Sequence, residues 1–148
     1  MSEIINSILL VDDENLFHLV FEDACSLLDI TLDLRSLMSA DEAANMFEKW
    51  QKGSADKPEC VFVDLNIIGS SFDGIELVRK INYEYGNGVV IGIISSSSDQ
   101  QEVGKAIQAG AQFWIVKSDD IEPRLEEFRK DYNGYKNRTA PFKLYQWK

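Results

Sequence analysis

The chain is poor in histidine and cysteine: 148 residues hold only His18, Cys25 and Cys60. Both cysteines sit in apolar surroundings. Read as small buried hydrophobes they need no disulfide, which suits a reducing compartment. His18 falls within an expected helix and reads as a surface or boundary residue, a poor choice for a catalytic or phospho-accepting group. Positive charge is also scarce, with 15 Lys and Arg against 25 Asp and Glu and a net charge of −10. That balance argues against nonspecific binding to nucleic acid or an anionic membrane, and it tolerates divalent cations. No apolar run approaches the roughly 18 residues that a membrane span requires. Met1-Ser2-Glu3-Ile4 lacks the basic start and apolar core of a signal peptide. Internal repeats are absent, and so is any linker long enough for a second domain. The expectation is a cytoplasmic protein of one ordinary domain, with neither nucleic acid nor membrane as partner.

What the sequence does have is four short apolar runs, each ending in a polar group. Ile8-Leu9-Leu10-Val11 leads to Asp12 and Asp13. Cys60-Val61-Phe62-Val63 leads to Asp64, Val89 to Ile94 leads to Ser95 and Ser96, and Phe113-Trp114-Ile115-Val116 leads to Lys117. Such runs read as buried parallel strands. A weaker strand, about Thr31 to Ser36, alternates Leu32 and Leu34 with Asp33 and Arg35, as an edge strand does. Helical patterns separate the strands. The first, about Glu14 to Leu28, carries Leu16, Phe17, Val20, Phe21, Ala24, Leu27 and Leu28 at i, i+3, i+4 spacing. Ser39 and Glu42 form a possible capping box for the second helix. Further helices are expected near 74–83, near 98–109 with Gly110 after its end, and near 123–132 with Pro123 in the first turn. Five strand–helix units in succession imply an α/β fold: a parallel sheet, helices on both faces and right-handed crossovers.

In such a sheet the carboxyl ends of the strands are where ligands bind. Asp12, Asp13 and Asp64 brought together there repel one another, and a hard divalent cation such as Mg²⁺ relieves that repulsion. Mg²⁺ accepts few carboxylates and keeps sites for phosphate oxygens. Lys117 supplies a compact positive charge that can pair with Asp64 at rest or with a phosphate oxygen. Ser95 supplies a hydroxyl donor. Asp64, the most apolar-flanked carboxylate, is the natural nucleophile for phosphoryl transfer. Each group taken alone has an ordinary structural explanation, because acids favour helix starts, serines cap helices and lysines populate surfaces. Their joint arrival at four strand ends favours the site.

The segments Ile8-Leu9-Leu10-Val11-Asp12-Asp13-Glu14, Val61-Phe62-Val63-Asp64, Asp73-Gly74, Ile93-Ile94-Ser95 and Gln108-Ala109-Gly110-Ala111 through Val116-Lys117 resemble the response-regulator receiver domain of two-component signalling. The resemblance spans about residues 5 to 131. It implies a flavodoxin-like, doubly wound five-stranded parallel sheet of order 2-1-3-4-5 with five helices. It implies Asp64 as phosphoacceptor, fed by a histidine kinase or a histidine phosphotransfer protein. Asp13, Asp64 and the backbone carbonyl of Asn66 would hold Mg²⁺, with Asp12 acting through bound water. Ser95 and Trp114 take the places of the family's switch pair, with Trp114 either turning less freely than a smaller ring or sitting permanently outward. Two departures stand out. Ile67-Ile68-Gly69 occupies the place of a customary proline, in a longer loop. Ser118 follows Lys117 where the family has proline, so a trans bond is expected, or a strained cis one if the site demands it, a cis bond before a non-proline costing roughly 2.5–4 kcal/mol.

Residues 1–132 are thus expected to form the receiver domain, and 133–148 a basic, aromatic tail with no separate output domain. The tail either folds back over the acidic body, docks a partner or touches nucleic acid. The functional expectation is a stand-alone switch that is phosphorylated on Asp64 and alters protein contacts with an unknown downstream target, with a homodimer possible. Two other readings are a pseudo-receiver that only binds partners and a small aspartyl-phosphate phosphohydrolase. The hydrolase reading is weakened by Asn66, which stands where haloacid-dehalogenase-type enzymes carry a second acid.

Overall fold

The computed structural model describes residues 4–53, 57–67, 73–86, 88–118 and 120–146, except for the side chain of Leu32. Strands and helices alternate: β1 (Ile5–Val11), α1 (Asn15–Leu28), β2 (Thr31–Leu37), α2 (Ala40–Gln51), β3 (Cys60–Asp64), α3 (Gly74–Tyr85), β4 (Val90–Ser95), α4 (Gln100–Ala109), β5 (Phe113–Val116), α5 (Glu122–Lys136) and β6 (Lys143–Tyr145). The strands form one parallel sheet of order β2-β1-β3-β4-β5-β6.

The two-residue period of the strands divides the core into two layers. Leu9, Val11, Val61, Val63, Ile91, Ile93 and Trp114 face α2, α3 and α4. Ile8, Leu10, Phe62, Ile94, Phe113 and Ile115 face α1 and α5. The near-continuous apolar runs read in the sequence are therefore strands covered on both sides. Local signals set the helix ends. Ser39 Oγ accepts from the Glu42 N–H at 3.1 Å. Asp73 and Glu76 form a reciprocal capping box at 2.8 and 3.0 Å. Gly110 closes α4 in the left-handed region, at φ 106°.

Three expectations need correction. The sheet has six strands rather than five, because the C-terminal segment returns as β6 beside β5. Tyr145 is buried among Phe128, Tyr135 and the α5 face, while Leu144 packs on the opposite layer. A strand of three residues that begins with a lysine shows too little apolar pattern to be read. Next, α5 runs four residues past the expected end, to Lys136. On α1 the buried stripe is Phe17, His18, Phe21, Ala24 and Cys25, whereas Leu16 and Leu27 stand exposed. A helix that turns 100° per residue cannot aim all seven of its expected apolar positions at one sheet. Residues 68–72, part of the loop after Asp64, lie outside the described residues, as do Asn87 of the 86–88 turn and Trp147 and Lys148 of the tail.

Candidate phosphoryl-transfer site

Parallel pairing brings the polar strand ends to one rim. Val11 pairs with Val63, Asp64 with Ile94 and Ser95 with Val116. The residues that follow β1 and β5, and those that end β3 and β4, therefore meet at the carboxyl edge. Carboxylate oxygens of Asp12, Asp13 and Asp64 lie within 4.8 Å of one another. Asp12 is fully buried and Asp64 is 6% exposed, while Asp13 is half-buried.

Lys117 reaches into this acid cluster. Its Nζ lies 2.7 Å from Asp12 Oδ2 and 3.4 Å from Asp64 Oδ1. The sequence reading paired it with Asp64; the structure pairs it with both, and more closely with Asp12. The ammonium also lies 4.6 Å from the centre of the Phe17 ring, a cation–π contact. Burial alone would lower the pKa of Lys117. Its bond to Asp12 and the charges of Asp64, Asp12 and Glu14 outweigh burial and hold it above the ordinary lysine value. Burial, then the neighbouring Asp12, lifts the Asp64 carboxyl from 3.8 to about 6; Lys117 opposes the rise and Asp13 adds to it.

Backbone bonds fix the cluster. Asp12 Oδ1 accepts from the Glu14 N–H at 2.8 Å, and the Asp12 N–H donates to the Leu37 carbonyl at 3.0 Å. The Lys117 N–H donates to the Ser95 carbonyl at 2.7 Å. Gly74 opens α3 against the acceptor strand. A Cβ there would stand 2.2 Å from the Asp64 carbonyl oxygen, so only glycine fits without displacement. Ser95 is buried, and its Oγ accepts from the Ser97 N–H at 3.4 Å. Trp114 is wholly buried and donates from Nε1 to the Ser97 carbonyl at 3.0 Å, which removes the outward placement. Asn66 is exposed two residues past Asp64. No cis peptide bond occurs among the described residues, and the bond before Ser118 is trans as expected.

A donor set made wholly of carboxylate oxygens, in which burial and then Asp12 make the charged form of Asp64 costly, suits a hard divalent cation that would offset that cost. Residues 8–127 match the family described as the response regulator receiver domain. The chain belongs to that family. Such domains are phosphoaccepting signalling switches of two-component systems rather than enzymes with turnover, and they usually bind Mg²⁺ at an acidic pocket. Over 101 residues this receiver domain is 35% identical to an uncharacterized transcriptional regulatory protein, YhcZ, of Bacillus subtilis (strain 168), a match covering 67% of this chain and 45% of that one. It thus spans less than half of that relative. The fold is shared with the phosphorylated cyanobacterial phytochrome response regulator RcpA (TM-score 0.71, 18% identity, 92% of this chain and 96% of that one). It is shared equally with a CheY-like receiver domain protein of Methanospirillum hungatei JF-1 (TM-score 0.73, 15% identity, 90% and 98%). NtrX of Brucella abortus matches at TM-score 0.71 and 24% identity over 91% of this receiver domain, which spans 29% of NtrX.

Three neighbours of the site have places that the sequence did not reveal. Phe17 reads there as core alone. His18 is nearly buried, with Nε2 2.5 Å from the Asp12 carbonyl oxygen, so it supports the acid turn instead of facing water. Arg124, which no sequence pattern singles out, is 4% exposed and bonds to the residue after Lys117. Only a positive charge early in a helix, against the dipole, could have drawn notice to it.

Proposed function

We propose that Asp64 accepts a phosphoryl group from a phosphohistidine of a histidine kinase or phosphotransfer protein, and that the acyl phosphate so formed changes the protein contacts of this chain. The observation that carries the reading is Lys117 Nζ set between Asp12 and Asp64, beside a third carboxylate. An Asp64 oxygen attacks phosphorus, the donor's P–N bond breaks, and the imidazole leaves with its electron pair. Lys117 shields the approach of two anions and can follow the phosphoryl oxygens as they arrive. A cation held by Asp12, Asp13, Asp64 and the Asn66 carbonyl would, when bound, neutralise the crowded carboxylate and phosphoryl charge. Ser95 Oγ is the hydroxyl on the adjoining strand end, free to turn toward the new phosphoryl oxygens. Its movement would disturb the Ser97 backbone and with it the hydrogen bond that holds Trp114. We assign the readout to the surface of α4, β5 and α5, and the downstream target to a protein. Two unlinked, buried cysteines accord with a cytoplasmic setting.

The test is incubation with acetyl phosphate and Mg²⁺, read by intact mass. Wild type is expected to gain one phosphoryl group that is labile in alkali, and Asp64→Asn to gain none. Equal labelling of the two proteins would remove Asp64 from the role. Steady phosphate release over many turnovers would favour a phosphohydrolase, and no labelling of wild type a pseudo-receiver.

A further inference from the structure

Arg124 occupies a costly position. It lies in the first turn of α5, where a positive charge opposes the helix dipole, and it is nearly buried. Burial pushes its pKa down, with Asp120 acting in the other direction. A glutamine would avoid both penalties and an exposed lysine the second of them, so the guanidinium must secure something in return. What it secures is the turn that leaves β5. Nη1 donates to Ser118 Oγ at 2.6 Å and to the Asp120 carbonyl at 3.4 Å. Ser118 is the residue next to Lys117, and β5 has already ended at Val116.

Lys117 is therefore held from two sides. Its own N–H is tied back to the Ser95 carbonyl at 2.7 Å. Its following residue is tied forward to α5 through Arg124. The Lys117 stem is held against the Phe17 ring with its ammonium between two carboxylates, so it has little slack to follow a displaced backbone. A small rotation at residue 118 would swing the ammonium away from a gap only 2.7 and 3.4 Å from its two carboxylates. A planar donor, locked by burial, resists that rotation better than a lone point charge.

We propose that Arg124 is a positioning residue for phosphoryl transfer: by gripping the Ser118 hydroxyl and the Asp120 carbonyl it holds the turn after β5 so that Lys117 Nζ stays between Asp12 and Asp64. The inference rests on the role given to Lys117 above. It is tested by the rate of phosphorylation by acetyl phosphate at saturating Mg²⁺ in Arg124→Gln, Lys117→Gln, the double variant, Arg124→Lys and Ser118→Ala, with Mg²⁺ affinity titrated in each.

Arg124→Gln is expected to slow phosphorylation by about tenfold, the scale on which slight misplacement of a reacting group acts. Its Mg²⁺ affinity should hold, because the three carboxylates are untouched. In the Lys117→Gln background the same change should cost nothing further, and Arg124→Lys should recover part of the rate. Ser118→Ala removes the acceptor from a turn without emptying the core, so it reports even where Arg124→Gln folds poorly; it should slow the reaction in the same sense. An equal loss from Arg124→Gln with and without Lys117 would overturn the proposal. So would a full rate in both Arg124→Gln and Ser118→Ala. A full rate in Lys117→Gln alone would instead remove the assigned role of Lys117, and the inference with it.

Discussion

At the residue scale the site depends on one glycine as much as on its acids. Gly74 begins α3 against the backbone of Asp64, and its N–H donates to the Leu65 carbonyl at 3.2 Å. Gly74→Ala places a methyl carbon where backbone, rather than a movable side-chain tip, stands 2.2 Å away. The acceptor strand or the helix must shift. We expect a stability loss of about 1–3 kcal/mol, read as a lower urea midpoint, from overpacking of this kind. Phosphorylation should slow even at temperatures where the variant is fully folded. A variant with wild-type rate and midpoint would mean that the contact relaxes at no cost. The carboxylates of this rim were legible from the ends of apolar runs. The need for Gly74 was not, because the clash arises between β3 and α3 only once the sheet has formed.

At the scale of elements, β6 is the piece that pattern reading left as a tail. Three residues of strand are too few to display a period. Their burial comes from partners far back in the chain. Tyr145 Oη donates to Asp131 Oδ2 at 2.6 Å and lies 2.8 Å from Tyr135 Oη. Lys143 Nζ lies 2.9 Å from Glu127 and 3.0 Å from Asp131. Burial, then the bond to Asp131, pushes the Tyr145 phenol well above its ordinary value, so it stays a neutral donor. Tyr145→Phe leaves a partly buried carboxylate short of a donor. It should lower stability by about 1–3 kcal/mol in urea denaturation, and Asp131→Asn should recover part of that loss. An unchanged midpoint for Tyr145→Phe would mean that β6 adds little to the fold. Because β6 lies along β5, its loss would also uncover the strand that carries Trp114.

At the scale of the whole molecule, the acid cluster makes stability depend on pH and on cation. With its folded pKa raised from 3.8 to about 6, Asp64 binds its proton more tightly when folded than when unfolded. Its stabilising contribution is therefore complete below pH 3.8 and disappears as pH rises through about 6. Two pH units correspond to ~3 kcal/mol for this one group. Asp64→Asn imitates the protonated acid. Without divalent cation it should melt higher than wild type at pH 7, and the gap should close toward pH 4. Saturating Mg²⁺ should raise the melting temperature of wild type at pH 7 and raise that of the variant much less. A gap that ignores both pH and Mg²⁺ would contradict the linkage.

The sequence by itself determined the α/β alternation, the two-sided burial of the strands and the membership of Asp12, Asp13, Asp64, Ser95 and Lys117 in one rim. It could do so because a continuous apolar run and the polar group that ends it are local patterns, legible without knowledge of distant contacts. Tertiary structure alone decided that Lys117 sits nearest Asp12, that Trp114 turns inward to Ser97, that His18 braces the acid turn, that Arg124 grips Ser118 and that a sixth strand closes beside β5. Each of these depends on distances between segments whose separation along the chain carries no information about their approach in space.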